Sequence, residues 1–193
     1  VAVIAACRSR GIEVHLSTQL NIANTAALRF YARDADVAVL ARELTLEQIA
    51  RIARAIDEED IRGPSGRPVR LELFCHGALC MAASGRCYMS LHTRGKSANR
   101  GACLQTCRRS YVLKDAERDI ELELANGYLL SPKDLKTIDF LDRIVAAGVR
   151  VFKIEGRARG PEYVHAAVAC YDEALSAVAD GTFSPQKVEG WNA

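Results

Sequence analysis

VRLELFCHGALC (69–80) is the stretch whose reading decides the fold. Its first six residues are nearly continuously apolar, and VRVFKIE (149–155) repeats that pattern later in the chain. Strands of this kind are covered on both faces, as in parallel sheets flanked by helices. Working outward, IEVHLS (12–17) and VAVLA (37–41) read as two earlier strands. Each leads to a helical pattern, Ile22 to Tyr31 and then LEQIARIARAI (46–56), with apolar residues at helical spacing. A strand around Tyr128–Leu130 precedes SPKDL and the helix IDFLDRIVAAG (138–148), with Gly148 as its stop. A long helix from Glu162 to about Ala179 follows VRVFKIE. Alternating strands and helices imply an α/β fold with right-handed crossovers. No Gly-rich loop follows any strand, which removes a dinucleotide-binding sheet and favours a (β/α) barrel of the TIM type.

The chain opens at Val1, and VAVIAACRSRG (1–11) reads as the second half of a helix closing at Gly11. Five strand units fall short of a barrel of eight, so the expectation is a barrel incomplete at its N-terminus. Residues 1–180 would be its C-terminal part, with a cysteine-rich insertion over 75–110, and 181–193 an exit segment. With 193 residues, 49% of them hydrophobic, the chain has enough apolar side chains for a sizeable core. Lys and Arg total 26 against 24 for Asp and Glu, a net charge of +2 that by itself argues for neither nucleic acid nor membrane. No apolar run approaches the roughly 20 residues that span a bilayer, and no secretory leader pattern is present. A soluble cytoplasmic protein is expected.

Seven cysteines are present, and four of them, Cys80, Cys87, Cys103 and Cys107, fall within CHGALCMAASGRCYMSLHTRGKSANRGACLQTCRRSY (75–111). The odd total and the full-sized core speak against a disulfide scaffold. Spacing of C-x6-C, fifteen residues, then C-x3-C offers four thiolates for a zinc ion or an iron–sulfur cluster. Spacing alone fits either. Cys75 ends an apolar strand and reads as packing, as do Cys7 and Cys170 within helical patterns.

ELFCHGALCMAASGRCYMS (72–90), NRGACLQTCR (99–108) and VFKIEGRARGPEYV (151–164) together resemble peptidase family U32, over about Gly11 to Tyr163. Some members of that family are reported as collagen-degrading proteases. Others act in oxygen-independent hydroxylation of a tRNA wobble uridine (forming 5-hydroxyuridine), of ribosomal RNA or of ubiquinone precursors. The resemblance implies an iron–sulfur cluster, [4Fe-4S], on Cys80, Cys87, Cys103 and Cys107, with zinc as the alternative. It also implies prephenate as oxygen donor and an RNA partner, foremost tRNA; a partner chain is allowed for. The competing readings are a collagenase-like peptidase and a non-catalytic barrel stapled by zinc.

Around the thiols, polar residues at strand ends are the candidates for chemistry, because barrel active sites form there. They are Ser17, Thr18, Gln19 and Asn21, then Arg42 and Glu43, then His76, Ser131 and Lys133, and finally Glu155, Arg157 and Arg159. His76 is a general acid or base, or else a structural residue at the Gly77 turn. Lys153, Glu155, Arg157 and Arg159 alternate, so on an extended chain they share one side and could hold a small anionic co-substrate. Of these, Glu155 and Arg157 are taken as catalytic beside His76. Lys153 and Arg159, with Arg108, are taken as substrate-binding. Glu72 lies within its strand and needs a partner if buried; Arg157 or another strand-end arginine is the expected one. Arg94, Lys96, Arg100, Arg108 and Arg109 make the cysteine stretch basic, either a phosphate-contacting patch or plain solvated surface.

Overall fold

The computed structural model describes residues 2–124, 133–157 and 159–192. After helix α1 (Ala2–Arg8) the chain enters a parallel sheet through β1 (His15–Leu16), β2 (Val37–Val39) and β3 (Arg70–Gly77). A separate antiparallel hairpin follows, β4 (Tyr111–Lys114) with β5 (Glu121–Leu124). The short β6 (Leu135–Lys136) then pairs antiparallel with His76 and Gly77, and β7 (Val149–Glu155) runs parallel along β3. His15 stands opposite Val37, Val37 opposite Arg70, and Leu71 opposite Val149. The four parallel strands are therefore neighbours in chain order. Among the described residues this sheet is open and forms no closed barrel; the architecture is a mixed α/β sheet with helices.

Local chemistry explains the element boundaries. Helix α2 (Thr25–Ala32) starts where the Asn24 side chain accepts a hydrogen bond from the Ala27 amide at 2.8 Å. Periodicity would start it at Ile22, but Ile22 is fully buried and bridges to Leu40 in the sheet. Helix α3 (Leu46–Glu58) opens on a reciprocal cap between Thr45 and Gln48 and buries Ile49, Ile52, Ala55 and Ile56. Helix α5 (Leu141–Ala146) ends just before Gly148, whose φ of +96° suits glycine. Between them lies α4 (Met89–Arg94), inside the cysteine segment. Helix α6 (Pro161–Ala179) begins on a proline, and α7 (Pro185–Asn192) follows. The stretch 181–193, expected to leave the domain, thus carries a helix that buries Val188 and packs Trp191 against the core.

One core joins Leu16, Ile22, Leu28, Leu40, Ile49, Ile52, Leu71, Ile144 and Val149. A second joins Cys75, Ile138, Leu141, Tyr171 and Ala174 beneath α6. Alternation along β3 sends Leu71 and Leu73 into the first core and turns Glu72 to the opposite side. That side is polar, not apolar as the continuous run suggested: Glu72 meets Lys153 and His15, whose side chains stay 41% and 43% exposed. The strand expected around Tyr128–Leu130, and Ser131, lie outside the described residues.

Candidate metal centre

The C-terminal ends of the parallel strands are roofed by residues 78–110. Strand-end side chains hold this segment in place. Gln19 donates its side-chain amide to the Ala98 carbonyl at 2.6 Å. Glu43 accepts from the Ser84 amide at 2.7 Å and the Ser84 hydroxyl at 3.0 Å, while Arg42 donates to the Ala82 carbonyl at 3.3 Å. Burial works to raise the Glu43 pKa, yet the hydrogen bonds from Ser84 hold it below the usual carboxylate range. Two glycines let the backbone come close. A Cβ on Gly77 (φ +97°) would sit 2.2 Å from the Glu155 carbonyl oxygen, and one on Gly85 (φ +79°) 2.4 Å from that of Gln19.

Beneath the roof is a cavity of about 140 Å³ walled by Cys80, Cys87, Cys103 and Cys107 together with His76, Arg108, Glu155 and Arg157. The Cys107 thiol is pushed up by burial, and further by Cys80, Cys103 and Cys87, as expected of sulfurs that share one space. The Gln105 amide donates to the Cys103 sulfur at 3.4 Å. All seven cysteines are free thiols. Among the described residues, no group of three or more His, Cys, Asp or Glu is placed to hold a metal ion. A donor set of four thiols around one cavity fits a thiolate-ligated cluster and equally the ligand complement of a zinc ion.

Arg157 binds Glu155 in two-point fashion, Nε to Oε1 at 3.1 Å and Nη2 to Oε2 at 3.0 Å. That contact raises the Arg157 pKa, with Cys103 and Cys80 adding to it. Burial alone would raise the Glu155 carboxyl, but Arg157 keeps it lowered. The His76 ring lies 5.7 Å from that of Tyr163 and 5.4 Å from that of Tyr171. Burial lowers the His76 pKa, which favours the neutral imidazole, and its Nδ1 is buried without a hydrogen-bond partner among the described residues. A neutral ring with a buried, unengaged nitrogen at a cavity wall is equipped to take or relay a proton.

A family model described as peptidase family U32 matches residues 1–192. The chain belongs to peptidase family U32. Over 192 residues this U32 chain is 56% identical to a protein named collagenase from Porphyromonas gingivalis, covering 100% of the chain and 46% of that relative. It is 42% identical to the 23S rRNA 5-hydroxycytidine C2501 synthase of Escherichia coli (86% of the chain, 24% of the relative). Identity to tRNA hydroxylation protein P1 of Bacillus subtilis is 35% (91% of the chain, 40% of the relative). The U32 chain spans about half or less of the length of these curated relatives. No solved structure matches it.

In this U32 chain the candidate residues fall into two sets. His76, Glu155, Arg157 and Arg108 share the thiol-lined cavity. Lys153 and Arg159 do not line it. Lys153 places Nζ 3.1 Å from Glu72 Oε1, and His15 Nδ1 lies 2.7 Å from Glu72 Oε2. Glu72 is thus partnered by Lys153 and His15, and not by a strand-end arginine. Arg159 pairs with Asp134, as does Arg108, at 3.2 Å from Oδ1. β7 ends at Glu155, so the alternation that aligned 153, 155, 157 and 159 in sequence does not carry through to the last two. Cys75 is fully buried, its thiol donates to the Lys153 carbonyl at 3.4 Å, and burial pushes its pKa up to about 12. Cys7 and Cys170 are only half-buried. Asp134 and Tyr163 went unnoticed in sequence. Asp134 sits beside Lys133 in SPKDL, and an acid at an expected strand end was the available clue.

Proposed function

We propose that the chain supplies the iron–sulfur centre of an oxygen-independent RNA hydroxylation enzyme, acting on a tRNA wobble uridine with prephenate as the linked oxygen donor. The observation that carries this reading is the set of four thiols, Cys80, Cys87, Cys103 and Cys107, around one cavity at the strand ends. The roof supports an RNA partner. Arg94, Lys96, Arg100 and Arg109 are exposed and make no ion pair among the described residues, and Tyr88, in the same segment, is 60% exposed. Cations that track phosphates and an aromatic that stacks a base are the elements of single-strand recognition. Relatives named for tRNA and rRNA hydroxylation favour the same reading. Four parallel strands adjacent in chain order are the arrangement of a barrel wall, so the sheet is taken as part of a TIM-type barrel.

Cys80, Cys87, Cys103 and Cys107 would hold the cluster, which when bound supplies one-electron redox chemistry. The chain's own side chains do the rest. Arg157, fixed by Glu155, presents a preset positive edge to the cavity, and neutral His76 holds or accepts a proton at Nδ1. Thr18, Gln19 and Phe74 complete the wall and limit the room for water. Because Arg157 and Arg108 both carry carboxylate partners, a co-substrate anion would bind through their remaining N–H groups and not through bare charge.

The 56% identity to a protein named collagenase favours a second reading, a peptidase. It requires a nucleophile, and Cys75 is unsuited, being buried with a pKa near 12. If a cavity thiol served instead, the two readings would compete for the same residues. Nucleoside mass spectrometry of tRNA from a deletion strain separates them. Loss of 5-hydroxyuridine is expected. Unchanged RNA, with collagen-peptide cleavage by the purified protein, would establish the peptidase.

A further inference from the structure

We propose that Asp134 is a positioning residue that sets the charge facing the cysteine cavity, neutralising Arg108 and so lowering the reduction potential of a cluster held there. This rests on the iron–sulfur reading above. Three arginines contribute to the cavity wall: Arg42, Arg108 and Arg157. Arg157 is bound at two points by its neighbour Glu155, and Arg42 adjoins Glu43 on the Ser84 clamp. Arg108 differs, because its carboxylate comes from elsewhere in the chain. Its Nη1 meets Asp134 Oδ1 at 3.2 Å, while its Nη2 is buried and has no hydrogen-bond partner among the described residues. The orientation of that guanidinium, one residue from Cys107, thus depends on Asp134.

Asp134 does not line the cavity, and its side chain is 26% exposed. Its other oxygen is taken by Arg159, whose guanidinium lies 5.0 Å from the Tyr163 ring centroid. One carboxylate therefore serves two guanidiniums that come from separate segments, the end of the cysteine roof and the turn just before α6. Removing its charge leaves Arg108 uncompensated beside Cys107, and Arg159 uncompensated later in the chain, without touching the cavity wall. Added positive charge near a cluster stabilises the reduced form, since reduction adds an electron, and net charge is among the levers that set cluster potentials.

The test is an EPR-monitored redox titration of the protein purified without oxygen, with iron and sulfide measured on the same samples. Asp134→Asn should retain iron and shift the midpoint to more positive potential. Asp134→Glu should stay near the parent value, and Arg108→Gln should shift it the other way. Full iron with an unchanged midpoint in Asp134→Asn would overturn the proposal. If that variant loses its iron, Arg108→Gln decides, and an unchanged midpoint there overturns it equally. A parent protein that holds no iron and sulfide defeats the iron–sulfur reading itself, and this inference with it.

Discussion

From Arg70 to Gly77 the chain is a strand with Leu71 and Cys75 buried among side chains of α3, α5 and α6. From Ala78 to Ser110 the same chain buries Ser84, Ser90 and Thr106 and, among the described residues, no large apolar side chain. Met81, Tyr88, Leu91 and Leu104 face solvent there. Each fully buried Leu or Ile in the sheet contributes roughly 1.5–3 kcal/mol, whereas a hydrogen bond such as Gln19 to Ala98 nets about 1 kcal/mol. The sheet is ordered by its own apolar side chains; the roof is ordered by its hydrogen bonds to the strand ends and, on the proposed reading, by a cluster on the four thiols. Local stability should differ accordingly, with the roof opening long before the sheet.

The largest expected effect exploits that contrast. Cys87→Ser or Cys103→Ser should abolish iron loading, and limited proteolysis should then cut within 78–110 while the sheet core survives as a resistant fragment. Iron retained in either variant would break the comparison; Cys7→Ala should leave iron unchanged. Next come the two glycines where roof and sheet meet. Gly77→Ala drives a Cβ into the Glu155 backbone at a strained φ and should cost about 2 kcal/mol or more in a thermal melt. Gly85→Ala strikes Gln19 and should loosen the roof, lowering iron content while the main melting transition stays. The roof's cations give a smaller and specific effect. Arg94→Gln with Lys96→Gln should weaken RNA binding and flatten the slope of log affinity against log salt by about 0.7–0.9 per residue removed. An unchanged slope would return these residues to plain surface.

The smallest effect belongs to the sheet. Burial pulls the His15 pKa down, but the hydrogen bonds its ring donates to Glu72 and Glu13 outweigh that and leave it above 6.5. A raised folded-state pKa means that the imidazolium contributes stability fully below pH 6.5 and loses it as pH rises through the raised value. Melting temperature should therefore slip modestly over that window, and His15→Gln should flatten the profile. A profile that is the same in both proteins would remove the His15–Glu72 pair as a source of stability.

Much of the sheet was legible because apolar periodicity is a local property. VRVFKIE matches β7 end to end, and LEQIARIARAI lies within α3. β3 runs three residues past its apolar run because β6 and β7 pair with His76 and Gly77, a contact that no local pattern announces. The same limit hid Lys153 as the partner of Glu72, since that pairing is set by the register between β3 and β7. That Cys80, Cys87, Cys103 and Cys107 would lie together was legible from composition and spacing, and that His76, Glu155 and Arg157 would face the same cavity from their strand-end places. Asp134 was not, because its pairing with Arg108 and Arg159 joins segments far apart in the chain.

The most direct measurement is metal and sulfide analysis of the protein purified without oxygen, read alongside its visible spectrum. The account predicts iron and sulfide in equal amounts, about four of each per chain for a [4Fe-4S] centre, with brown absorbance that disappears in Cys103→Ser. A colourless protein carrying one zinc ion per chain would contradict it.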